Sequence, residues 1–249
     1  VYLYRSMENY ITDSLYFKDK KLYYADELVD YTNYLEALED YGFESITDEW
    51  AMRLDDNYFL LDCGGDGDCL FHVISEALNL DKISRSNKGK KAKKALLYNA
   101  KDIRKIASDS VTRKNFRDII CAYTLAKESD EFIGLWNPSF VDTVKDLREE
   151  ILEMGDNFWG DQIILSLIQE KLKLNVIILS NTTTSVYPTG TDINKFERTI
   201  VIYYYNDVHF QLVSYFDMEN SSLKTIFTRD DLPEELQKVY REDTNQLFT

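Results

Sequence analysis

The sequence is poor in the residues that build metal sites, cross-links and flexible linkers. It has only two histidines, three cysteines, three prolines and nine glycines in 249 residues. Two histidines, His72 and His209, with no Cys-x-x-Cys pair give no structural zinc pattern, so no metal is expected. An odd cysteine count in a chain this long argues against a disulfide scaffold and fits a reducing, cytoplasmic compartment. So few glycines and prolines leave little room for long disordered linkers. No apolar run approaches the roughly 18 residues that span a bilayer, and no charged-then-apolar leader opens the sequence, so no membrane partner is expected. Cations are also scarce: 29 Lys and Arg stand against 44 Asp and Glu, a net charge of −15. Such a surface repels nucleic-acid phosphate and favours a basic partner.

What is present suffices for one substantial core. Hydrophobic residues make up 44% of the chain, enough for one domain with a smaller appendage. Residues 1–50 read as an N-terminal helical extension. From Ala25 to Tyr41, the residues Leu28, Tyr31, Leu35 and Leu38 recur at three- and four-residue steps, which predicts an amphipathic helix packed on the core. Residues 51–216 read as the main domain and 217–249 as a C-terminal extension. Further helical patterns cover about 70–78, 96–107, 112–127 and 139–153, and another starts at Trp159-Gly160-Asp161. The lysine-rich stretch from Asp81 to Lys94 reads as a solvated loop entering a helix. The period then changes. Val176–Leu179 and Thr199–Tyr205 are apolar, β-branched or aromatic runs that predict buried strands. His209–Tyr215 reads as a further strand, with a turn at Asn206-Asp207. Leu232–Arg241 closes the chain as a helix beginning near Pro233. Helices first and strands later predict an α+β, three-layer domain.

One place has the makings of a reactive thiol. Gly64, Gly65 and Gly67 form a flexible loop that runs into a helix at Cys69. A helix N-terminus is electropositive, and its free N–H groups stabilise a thiolate. The same loop can aim amides at a developing oxyanion. His209, at the start of a strand, is the candidate base. His72 is the rival, but a side chain one turn along a helix points back along its surface rather than across a cleft. Cys63 and Cys121 read as structural.

The run Gly65-Asp66-Gly67-Asp68-Cys69-Leu70-Phe71-His72 resembles the nucleophile motif of the ovarian tumour (OTU) family of deubiquitinases, Asp-Gly-x-Cys-Leu-Phe followed by Arg or His. Trp159-Gly160 before an amphipathic helix and the strand Val176–Ser180 resembles that family's Trp-Gly segment. His209-Phe210 entering an apolar strand resembles its catalytic histidine segment. The resemblance covers about residues 55–216. It implies a papain-like OTU fold, with a small mixed sheet between helical layers. It also implies a cysteine peptidase in which Cys69 attacks the carbonyl of the ubiquitin C-terminal glycine and His209 shuttles the proton, with no cofactor. Gly67 and Asp68 would belong to the oxyanion loop, and Asp66 matches the aspartate that supports it. Many members carry Asp or Asn two residues after the histidine. Here Gln211 holds that position, so the identity of the third catalytic residue is open. The implied partner is ubiquitin or polyubiquitin, bound by a monomer. Another ubiquitin-like modifier, a polyprotein, or a weakly active ubiquitin-binding module are the alternatives.

Overall fold

A computed structural model describes residues 15–85, 97–128, 135–187, 189 and 192–248. The basic island of 81–94 falls mostly outside them. The chain runs β1 (Leu15–Lys18), β2 (Lys21–Tyr24), β3 (Glu27–Leu28), α1 (Tyr34–Tyr41), β4 (Phe43–Ser45), α2 (Asp48–Ala51), β5 (Tyr58–Leu61) and α3 (Cys69–Arg85). It continues through α4 (Ala100–Ser110), α5 (Phe116–Glu128), α6 (Val144–Leu152), α7 (Gln162–Leu172), β6 (Leu174–Ser180) and β7 (Ser185–Tyr187). The last elements are β8 (Arg198–Tyr205), β9 (His209–Asp217), β10 (Ser222–Lys224), β11 (Ile226–Thr228) and α8 (Glu234–Thr244).

The fold is α+β. Its centre is a mixed eight-stranded sheet in the order β4-β5-β9-β8-β6-β7, with β10 on β9 and β11 on β8. Among the described residues, only β6 and β8 pair in parallel; the other pairs of this sheet are antiparallel. The sheet is larger than the sequence suggests because β4, β7, β10 and β11 are three residues each, too short to leave a periodic signal.

Alternation along the strands sorts side chains into two cores, as the period of two requires. Phe59, Leu61, Val176, Ile178, Ile200, Ile202, Leu212 and Phe216 face α3, α4, α6 and α7. Tyr58, Leu60, Ile177, Leu179, Val201, Tyr203 and Val213 face Trp50 of α2 and Leu236, Val239 and Tyr240 of α8. On this second side, Trp50 donates its ring N–H to the Ser180 carbonyl at 3.0 Å. Asp243 of α8 accepts from the Val186 amide of β7 at 2.7 Å and from both terminal nitrogens of Arg53 at 2.9 and 2.8 Å.

The helix expected over 25–41 forms only over Tyr34–Tyr41, ended by Gly42 in a left-handed conformation at φ 109. Residues 15–28 instead make a three-stranded antiparallel sheet. Its two turns place Asp19 and Lys20, then Ala25 and Asp26, at positive φ. Leu15, Phe17, Leu22 and Val29 enter the larger core, and the Leu22 amide donates to the Ser221 carbonyl at 2.8 Å.

Candidate active site

The nucleophile loop lies between β5 and α3. Gly64 (φ 114), Asp66 (φ 57) and Gly67 (φ 82) all take left-handed angles. Gly67 has a second constraint: a Cβ there would stand 2.3 Å from the Gly155 carbonyl oxygen. The loop therefore passes backbone against backbone over the segment that follows α6, and only glycine fits. Asp68 closes the loop, its carbonyl accepting the His72 amide at 3.0 Å. Cys69 is then the first residue of α3. Its sulfur sits at a helix N-terminus, where amides lack intrahelical partners. It is only 6% exposed.

The Trp-Gly segment fits against the same helix. A Cβ on Gly160 would come within 2.7 Å of the Leu70 side chain and 3.1 Å of Phe71. Asp161 then caps α7 by accepting the amides of Ile163 and Ile164 at 2.9 and 3.0 Å.

His209 begins β9, opposite Tyr205 across a turn whose central residues Asn206 and Asp207 have positive φ. The Val208 amide closes that turn on the Tyr205 carbonyl at 3.1 Å. The ring of His209 lies between two acidic groups. Its Nε2 is 3.1 Å from Asp62 Oδ1. Asp62 first and the Cys69 sulfur second hold the imidazolium and raise its pKa from 6.5 to about 9, against the opposing effect of burial. With Nε2 committed to Asp62, Nδ1 is the nitrogen left for the thiol. Hydrogen bonds from the His209 ring and then from the Gly64 amide (3.0 Å) hold Asp62 below the usual carboxylate range.

Gln211 does not take this place. No hydrogen bond joins it to His209 among the described residues, although it lies two residues along the same strand. Asp62 takes it from the next strand. Leu61 pairs with Leu212, so one more step in register puts Asp62 opposite Gln211 and diagonal to His209, within reach of a long side chain. The sequence does not mark Asp62 as a partner of His209, because this proximity exists only once β5 and β9 are paired. A carboxylate just past the end of an apolar run is its only local sign.

Asp66 is also not where the motif would put it to use. It is exposed, and no hydrogen bond of its side chain appears among the described residues. The carboxylate that ties the loop is Asp68, 3% exposed and paired with Arg104 at 2.6 Å. His72 is half-buried beside Asp68 and Arg104, and burial lowers its pKa. Burial, with Glu76 and Asp62 adding to it, pushes the Cys63 thiol well up, which suits a structural cysteine and not a nucleophile. Cys121 is exposed on α5.

Aromatic rings flank the start of β9, and one of them, Tyr204, lies within electrostatic reach of Cys69. Tyr204 stacks on Phe210 at 4.6 Å between centroids and meets Tyr187 edge-on at 6.0 Å. The Tyr204 hydroxyl donates to the Asp207 carbonyl at 2.6 Å. No group of metal-ligating side chains occurs among the described residues, and no helix among them is long and apolar enough to cross a membrane.

No protein-family model and no curated protein matches the chain. Solved structures do. One is an OTU domain in complex with ubiquitin, at 16% identity and a TM-score of 0.44, covering 74% of this chain and 83% of that one. Another is an OTU deubiquitinase from Wolbachia pipientis wMel, at 15% identity and 0.41, covering 74% and 96%. A third is the viral OTU domain protease from Dera Ghazi Khan virus, at 13% and 0.39, covering 66% and 85%. The chain is similar in fold to OTU domains, at low sequence identity.

Proposed function

We propose that the chain is a thiol-dependent deubiquitinase that hydrolyses bonds to the C-terminal glycine of ubiquitin. The observation that carries this reading is the arrangement Asp62–His209–Cys69 at the start of α3, inside the run Asp66-Gly67-Asp68-Cys69-Leu70-Phe71. Asp62 orients the ring and keeps it charged. His209 takes the thiol proton, and Cys69 attacks as thiolate. The sulfur adds to the glycine carbonyl, and the oxyanion forms beside the amides of the 65–69 loop and helix start. His209 then gives its proton to the leaving lysine amine as the C–N bond breaks, leaving an acyl-thioester on Cys69. A water, deprotonated by the same ring, adds to the thioester and releases the carboxylate and the thiol. The flat wall of Tyr204 and Phe210 suits a substrate end without side chains. The acidic surface suits the basic tail of ubiquitin.

A ubiquitin carrying a C-terminal electrophile tests this directly. Intact-mass measurement is expected to show one covalent adduct on the parent chain and none on Cys69→Ala. Absence of an adduct on a folded parent chain, with ubiquitin bound reversibly, would identify a binding module instead. An adduct only with another modifier bearing the same electrophile would move the substrate to that modifier.

A further inference from the structure

We propose that Arg104 is a positioning residue for the reaction at Cys69, acting through Asp68 on the loop before the nucleophile; this rests on the thiol chemistry proposed above. Arg104 is fully buried on α4. Its guanidinium joins segments that are far apart in sequence. Nε donates to Asp68 Oδ1 at 2.6 Å, Nη1 to the Ile151 carbonyl at 2.9 Å, and Nη2 to the Phe158 carbonyl at 2.8 Å. The same group lies over the Phe71 ring at 4.1 Å to the centroid. The second oxygen of Asp68 accepts the Gly155 amide at 2.8 Å.

The strap from Ile151 to Phe158 is thus pinned at both ends by one side chain. Its middle, Gly155, is fixed to the Asp68 carboxylate and lies directly against Gly67. Arg104, Asp68 and the strap together fix the backbone of the loop on which Cys69 depends. A buried ion pair gains little over apolar residues of equal volume as a source of stability. What an arginine supplies in addition is a planar fork with several donors in set directions. Here those directions lead to the Asp68 carboxylate and to two carbonyls of the strap behind the loop, and so set where the loop amides beside the thiol stand. Misplacing such donors by about 1 Å costs on the order of a hundredfold in rate, comparable to losing an oxyanion donor. The sulfur itself need not move, so thiol reactivity and acyl transfer should separate.

The test uses Arg104→Lys and Asp68→Asn in the full chain, with rates normalised to the folded fraction. Lysine keeps the charge but loses the fork. Asparagine keeps an acceptor for Gly155 but loses the charge. On a fluorogenic ubiquitin substrate, kcat is expected to fall on the order of a hundredfold for Arg104→Lys and about tenfold for Asp68→Asn, with KM little changed. Amide hydrogen exchange over 64–69 is expected to speed up. Alkylation of Cys69 by iodoacetamide, which forms no oxyanion, is expected to keep its parent rate. Unchanged kcat per folded molecule together with unchanged loop exchange overturns the proposal, leaving Arg104 a residue of the core. Should Arg104→Lys not fold, Gly155→Ala serves: it strains a position at φ 82 and leaves the ion pair in place. Its kcat and loop exchange should both respond, and no response in either overturns the proposal. Should the parent chain not cleave ubiquitin at all, faster exchange in the variants sustains the positioning role while the deubiquitinase reading fails.

Discussion

Asp62 and Asp68 flank the same glycine loop, and their surroundings give them opposite tasks. Asp62 ends a strand at the edge of the cleft, its side chain about a third exposed, and its partner is an imidazole that can gain or lose a proton. Asp68 is buried, and its partner is a guanidinium that stays charged at any working pH. A carboxylate that meets a titratable partner near water takes part in moving protons. One that meets a permanent charge in the interior holds backbone in place. The motif alone cannot separate them, since both are aspartates within a few residues of Cys69.

The division can be broken in several ways, and the largest effect is expected at His209. Replacing it with Ala should cut kcat by roughly a hundredfold to ten-thousandfold and lower the thermal midpoint by clearly less than an Asp68 variant does, because Asp62 is left at a solvent-facing edge. A melt as damaged as that of an Asp68 variant would show that the Asp62 side is also scaffold.

Asp68→Ala should lower stability in addition to its effect on kcat per folded molecule. It leaves Arg104 buried without its counter-charge, at a cost of about 3–5 kcal/mol. For a chain of this size that is a fall of roughly ten degrees in the thermal midpoint. A differential scan that moves by less than a couple of degrees would mean water reaches the guanidinium.

Asp62→Asn should be intermediate, with kcat down on the order of tenfold to a hundredfold, and it carries a pH signature. His209 is raised from 6.5 to about 9. The stability it contributes is therefore fully present below pH 6.5 and is lost as pH rises through about 9. Without the Asp62 charge, that loss should begin at lower pH. The difference between the parent and Asp62→Asn melting curves from pH 6 to 10 measures it, and a flat difference would place the imidazolium's support elsewhere.

The smallest effect is expected at Gln211 and Asp66. Neither side chain has a hydrogen-bond partner among the described residues. Gln211→Ala and Asp66→Asn should each change kcat by about twofold or less, the factor that about 0.5 kcal/mol represents. A hundredfold loss at Gln211 would return it to the role of orienting the ring.

How much of this was legible depended on whether the signal was local. Cys69 at a helix start, the strand carrying His209 and the turn at Asn206-Asp207 are each contained in a few consecutive residues, and all three stand where the sequence puts them. Asp62 and Arg104 were not legible as partners, because each meets its counterpart through pairing or packing of separate elements. The failed helix over 25–41 has a different cause. Its hairpin turns use Asp19-Lys20 and Ala25-Asp26 at positive φ with no glycine or asparagine, so the usual turn marker is missing. The spacing of Leu28, Tyr31, Leu35 and Leu38 then mimicked a stripe. Leu38 is buried, but Tyr31 is 72% exposed and Leu28 belongs to β3.

Asp243 bears on where the chain can be shortened. β7 is the last strand of the sheet, and Asp243 occupies its Val186 amide while gripping Arg53 beside Trp50. An expression fragment ending at 216, where the motif resemblance stops, would discard that carboxylate together with β10, β11 and α8. The outer strand would then present an unsatisfied main-chain donor, and the apolar face around Trp50 would be bare. Both invite strands from other molecules to add on. Such a fragment would carry every residue of the reaction and yet be prone to polymerise, so its inactivity would report on colloidal behaviour and not on chemistry.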